Sequence, residues 1–143
     1  MTARILILNG HPDPVRKGLC HALADAYGSG AAEGGHEVRR LDIATLAFGF
    51  VHSQGEFEHG DVLPDIAAAQ ETIKWATHVV VIFPLWLGDM PALLKAFLEQ
   101  VARPGFAVGP EGATPFGRKP LSGRSARVVV TMGMPALAYR WYF

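Results

Sequence analysis

The chain has 143 residues, half of them hydrophobic, and its thirteen basic and thirteen acidic side chains cancel. That length suits one domain with a sizeable core, and the composition argues against disorder. A neutral chain without a basic run offers no electrostatic footprint for nucleic acid or an anionic membrane. One cysteine, Cys20, excludes an internal disulfide and any cysteine-based zinc or iron–sulfur site.

The N-terminal apolar run is too short for a signal peptide and is broken at once by Asn9 and Gly10. No apolar stretch approaches the roughly 18–20 residues of a membrane span. The expectation is a cytoplasmic chain. Ile5 to Leu8 reads as a buried parallel strand running into a turn. From Lys17 to Glu33 the pattern turns helical, with Leu19, Leu23, Ala26 and Tyr27 on one face and Gly34-Gly35 as the stop. His36 to Leu41 reads as a second strand, flanked by charge and so near an edge.

Residues 43–63 show no sustained period and carry Gly49, Gly55 and Gly60 among Phe48, Phe50 and Phe57. A structureless stretch of that length is uncommon in a compact domain unless it has a job. Pro64 to Ala76 reads as a helix with proline in its first turn. His78 to Phe83 is the clearest strand, stopped by Pro84, and Pro91 to Val101 is a third helix. Pro104 to Gly123 reads as a loop, and Ala126 to Thr131 as a last buried strand. Gly133, Pro135 and an aromatic segment ending at Phe143 follow.

The order β-α-β-α-β-α-β predicts a single α/β domain over 1–143, a doubly wound parallel sheet with helices on both faces and right-handed crossovers. Ligands in such folds bind beyond the C-terminal ends of the strands, where the strand order reverses. The loops after Leu8, Phe83 and Thr131 are therefore the ones that can carry chemistry.

The first loop, Asn9 to Gly18, leads into a helix whose N-terminal amides form an anion site, with Arg16 and Lys17 adding charge. Taken alone it is equally an ordinary βα turn with two solvated bases. The second, Pro84-Leu85-Trp86-Leu87-Gly88-Asp89-Met90-Pro91, sets apolar groups where polar turn residues are usual. It suits one face of a flat ring, or a tryptophan packed on the sheet edge. In the third, Thr131-Met132-Gly133-Met134-Pro135, glycine permits close backbone approach and Thr131 can hydrogen-bond.

Asn-Gly-His-Pro-Asp at 9–13, Phe-Pro-Leu-Trp-Leu-Gly-Asp-Met-Pro-Ala-Leu-Leu-Lys at 83–95 and Thr-Met-Gly-Met-Pro at 131–135 resemble the NAD(P)H:quinone oxidoreductase family of the DT-diaphorases and related flavodoxin-like quinone reductases. The resemblance implies a flavodoxin-like fold and a non-covalent flavin, FAD with FMN as the alternative. It also implies two-electron ping-pong transfer from NAD(P)H to a quinone or similar acceptor, with active sites at a homodimer interface. On that resemblance His11, Lys17, Gly18 and Leu19 hold the flavin phosphates. Pro84, Leu85, Trp86, Leu87 and Gly88 line the ring, and Thr131, Met132 and Gly133 meet its pyrimidine side. Tyr139 falls where the family has a catalytic tyrosine beside the flavin. Arg118 and Arg140 are candidates for reading a 2′-phosphate.

The chain departs from the family in two places. Lys17, Gly18 and Cys20 stand where serine, threonine or asparagine often bond the phosphates. The family also continues past the position of Phe143 with a glycine- and histidine-containing loop, a strand and a helix. The expectation is a C-terminally truncated domain, with Val128 to Val130 as a raw apolar edge. An ancillary role on a potassium-efflux system and a one-electron FMN carrier are the competing functions.

Other side chains carry less. His11 and Asp13 on one turn are too few for a metal site, so none is expected. Cys20 reads as a buried, inert thiol, and His21 as a packing or capping residue. Asp89 and Glu99 read as solvated carboxylates, with Lys95 and Glu99 as an i,i+4 surface pair.

Overall fold

The computed structural model describes residues 2–15, 18–106 and 121–142, with only the backbone of Ala136, Tyr139 and Tyr142. Its elements are β1 (Arg4–Asn9), α1 (Leu19–Glu33), β2 (Glu37–Asp42), a 3-10 turn (Ile43–Thr45), α2 (Gln54–His59), α3 (Pro64–Trp75), β3 (His78–Pro84), α4 (Ala92–Val101), β4 (Ser125–Thr131) and α5 (Ala136–Tyr142). The strands form one parallel sheet in the order β2-β1-β3-β4.

Successive strand residues face opposite sides, so the sheet carries a core on each. On one, Ile5, Ile7, Val80 and Ile82 pack against Cys20, Ala24 and Ala31 of α1. On the other, Leu8 and Phe83 meet Ile66 and Ala69 of α3 and Leu94, Phe97 and Val101 of α4. Full burial of a side chain such as Leu94 or Phe97 contributes about 2–3 kcal/mol. The chain passes from β1 outward to β2 and then across to β3, so the strand order reverses between β1 and β3. Their register sets Asn9 beside Ile82 there.

Gly10 N–H donates to the Ile82 carbonyl at 2.7 Å. A Cβ on Gly10 would lie 2.8 Å from Leu94 Cδ2 and 3.1 Å from Phe83 Cβ. Glycine is required because the turn leaves the sheet directly over α4.

The stretch expected to lack structure contains the 3-10 turn and α2. Ser53 caps α2, its hydroxyl accepting from Glu56 N–H at 3.1 Å, while the Glu56 carboxylate accepts from His52 N–H at 2.8 Å. This is a variant of the capping box. Arg103, 5% exposed, ties the stretch to α4. Its Nη1 donates to the Glu56 and Gly60 carbonyls at 3.0 and 2.6 Å, and its Nη2 to Gln100 Oε1 at 2.7 Å. Gln100 in turn donates to the Gly49 carbonyl at 2.8 Å. β4 lies at the sheet edge with Val128 60% exposed. The aromatic segment after Pro135 is helical, forming α5. Among the described residues no helix is long and apolar enough to cross a membrane.

Candidate functional site

Three loops meet at the C-terminal ends of β1, β3 and β4. After β1, buried Asn9 donates from Nδ2 to Asp42 Oδ1 at 2.7 Å and accepts at Oδ1 from His11 N–H at 3.2 Å. His11 Nδ1 accepts from Asp13 N–H at 3.1 Å, and Asp13 Oδ1 from Val15 N–H at 2.8 Å. Side chains thus bond main-chain N–H groups two residues on, which sets the loop's path without regular structure. Because Nδ1 of His11 is an acceptor here, the neutral ring carries its proton on Nε2.

The His11 ring lies 5.3 Å from that of His21 and, edge-on, 6.1 Å from that of Trp86. His21 Nδ1 is buried with no hydrogen-bond partner among the described residues. Asp42 sits nearby, bonded also by Arg40 at 2.8 Å. Burial pushes the Asp42 carboxyl up, but the hydrogen bonds from Arg40 and Asn9, with the charges of Arg40 and His21, outweigh it and hold it below the ordinary range.

After β3, Pro84 is buried and Leu85 N–H donates to the Thr131 carbonyl at 2.7 Å. Trp86 and Asp89 exchange backbone bonds at 2.9 and 3.0 Å around Leu87 and Gly88, whose φ angles are 50° and 85°. Positive φ at both central residues is the type I′ requirement. Glycine meets it freely, whereas leucine is strained there by roughly 1–2 kcal/mol. The Leu87 side chain is fully exposed at the turn's tip, and Trp86 is 49% exposed. Asp89 Oδ1 accepts from Met90 N–H at 2.7 Å, so this carboxylate shapes the turn.

Leu19, Pro84, Leu85, Trp86, Thr131, Met132 and Gly133 line a cleft of about 260 Å³. All seven are residues the sequence singled out. Gly18 stands just before Leu19, as the N-cap of α1, and His11 lies edge-on against the Trp86 ring. Leu87 and Gly88 form the tip above it. Lys17 and Arg118 lie outside the described residues, as does the side chain of Tyr139, whose backbone belongs to α5.

Sequence reasoning missed the His11–His21 contact and the Cys20 Sγ to Thr131 Oγ1 contact at 3.2 Å. Both join α1 to strand-end loops. The sequence signal for them was only that Cys20 and His21 fall in the first turn of the helix after β1.

The flavodoxin-like fold family matches residues 3–143. The glutathione-regulated potassium-efflux system ancillary protein KefG of Enterobacter sp. is 39% identical, over 97% of this chain and 63% of its own length. The NAD(P)H:quinone oxidoreductase of Methanothermobacter marburgensis superposes with a TM-score of 0.76 at 27% identity, over 99% of this chain and 73% of that one. The general stress protein 14 of Treponema denticola, in complex with FMN, superposes at 0.64 with 26% identity, over 96% and 66%. The chain spans 57%, 67% and 63% of the length of three curated relatives it matches. With a four-stranded parallel sheet in the order β2-β1-β3-β4 and its cleft at the strand ends, the chain belongs to the flavodoxin-like fold family.

Proposed function

We propose that the chain binds a flavin in the cleft at the ends of β1, β3 and β4 and works as an NAD(P)H-dependent oxidoreductase on quinones or similar small acceptors. The observation that carries the reading is the cleft itself, lined by the apolar Trp86 and Leu85 together with the polar Thr131 and Gly133. Such a slot fits a flat ring with a polar edge. The loop from His11 to Leu19, which starts a helix, is the place for the phosphates. The proton on His11 Nε2 gives that loop a polar group to offer.

When bound, a flavin supplies the two-electron hydride chemistry. The chain's own residues orient and exclude. Trp86, braced by the His11 ring, covers one face. Thr131 offers its hydroxyl at the edge, and Leu87 with Met132 keeps water from the mouth. Tyr139, at the middle of α5, is proposed as the hydroxyl beside the reacting ring. FAD is proposed over FMN on the family resemblance, although a structural neighbour carries FMN. Exposed Trp86 and Leu87 on the turn after β3, with exposed Met134, Leu137 and Trp141 after β4, support a homodimer, and a cytoplasmic location goes with this reading.

The test is a visible absorption titration of the purified chain with FAD and with FMN, followed by anaerobic NADPH or NADH. A bound spectrum that bleaches on reduction supports the enzyme. No binding of either flavin sinks it. The 39% identity to a potassium-efflux ancillary protein favours a second reading, a binding subunit that acts on a transporter. Co-purification with such a transporter, unchanged when the cleft is blocked, would select it.

A further inference from the structure

We propose that Cys20 is a positioning residue for the cleft: its thiol donates to the Thr131 hydroxyl oxygen and thereby turns the Thr131 proton toward the bound ligand. The inference rests on the reading of the cleft as a cofactor site.

Cys20 is 2% exposed on the first turn of α1, and its Sγ lies 3.2 Å from Thr131 Oγ1 across 111 residues of sequence. Thr131 is half-buried at the end of β4 and lines the cleft. Its carbonyl is already taken by Leu85 N–H at 2.7 Å. Thr131 therefore joins three elements: its main chain holds the Trp86 turn and its side chain meets α1.

Either atom of the Cys20–Thr131 contact has a proton to give, and the chemistry of the two groups decides. Sulfur is a weak acceptor, whereas a hydroxyl oxygen is a good one. A hydroxyl proton directed at sulfur would forgo any stronger acceptor in the cleft. The arrangement S–H to Oγ1 leaves the Thr131 O–H as a donor facing the cleft. The site then selects a ligand edge that presents an acceptor, as the carbonyl oxygens and N1 of a flavin pyrimidine do. A merely inert thiol would tolerate alanine without consequence for the ligand.

The test begins without any ligand. Cys20 is the chain's one cysteine, so the infrared S–H stretching band of the purified protein reports on it alone. Thr131→Val removes the acceptor and should move the band to the frequency of a free thiol. FAD and FMN affinities then follow for Cys20→Ala, Cys20→Ser, Thr131→Val and the Cys20→Ala/Thr131→Val double variant. Cys20→Ala is expected to weaken binding about fivefold in the wild-type background and not at all beside Thr131→Val, the non-additivity of a contacting pair. Cys20→Ser, which keeps a donor, should restore affinity to within about twofold. An S–H band unmoved by Thr131→Val overturns the proposal, and so do additive losses in the double variant. If the wild type binds neither flavin, the proposed function falls, and the band alone decides whether the thiol orients Thr131.

Discussion

Leu85 and Thr131 are joined by a 2.7 Å hydrogen bond from the Leu85 N–H to the Thr131 carbonyl. It extends the register of β3 and β4, which ends at Pro84 opposite Thr131. The turn that carries Trp86 and the loop that carries Met132 and Gly133 are therefore held as one body at the mouth of the cleft. Their spacing does not depend on a ligand, which is the preorganisation a binding site needs.

Trp86 contributes to the cleft wall and little to the core, since half of it is exposed. Trp86→Ala is expected to weaken flavin binding by roughly tenfold, about 1.4 kcal/mol of lost stacking area. The thermal midpoint of the ligand-free protein should stay within about 2 °C of wild type, because no packed core is opened. A fluorescence titration beside a thermal melt checks both. A large fall in the melt with unchanged affinity would place Trp86 in the fold instead of the site.

Leu87 carries strain that a different residue would relieve. Its φ of 50° occupies the first central position of the turn, where asparagine and glycine are favoured. Leu87→Asn should raise stability by about 0.5–1 kcal/mol, and a melt of the ligand-free protein reads it. Weaker binding of a hydrophobic acceptor by the same variant would show that the strained leucine is kept for the ligand.

The strands and the helices α1, α3 and α4 were legible because hydrophobic period and punctuation agree in them: a continuous apolar run before Asn9-Gly10, Pro64 at a helix start, Pro84 at a strand end. The cleft was legible for a topological reason, as a parallel sheet sends its connecting loops to one end. α2 was not, since its span Gln54–His59 is too short to display a period. The available signal was Ser53 followed three residues later by Glu56, read only through capping chemistry. The left-handed Leu87 was hidden because Gly88 alone marks such a turn in sequence. The meeting of His11 with His21 depends on a loop path set by single side-chain hydrogen bonds, which no periodicity encodes.

Arg103 is a buried cation held by main-chain carbonyls at the C-terminal end of α2. Removing it leaves the Gly60 carbonyl and the Gln100 amide oxygen short of a donor, while the Glu56 carbonyl keeps the Gly60 N–H at 2.9 Å. Arg103→Met should cost about 1–3 kcal/mol, because Gln100 Oε1 stays buried without its donor. The loss should be seen as a lower denaturant midpoint, with hydrogen exchange accelerating first in residues 49–60. Uniform acceleration across the sheet would mean that Arg103 supports the whole core and not this stretch.

Asp42 gives the fold a defined acid sensitivity. Its carboxyl is held below the ordinary range by the bonds from Arg40 and Asn9, against the opposing push of burial. A carboxylate whose folded pKa lies below its unfolded value of about 3.9 adds stability above that value. The addition is lost as the pH falls through the folded pKa, so the window lies below about pH 4. Asp42→Asn should lower the thermal midpoint at pH 7 and leave a smaller fall between neutral and strongly acidic pH than wild type shows. Asn9 would then face an amide instead of a carboxylate, and its bond to His11 N–H at 3.2 Å would loosen. Flavin affinity at pH 7 should fall with it, by about two- to fivefold, as expected for a residue acting through a neighbour. Equal pH dependence in variant and wild type would show that other carboxylates govern the acid transition.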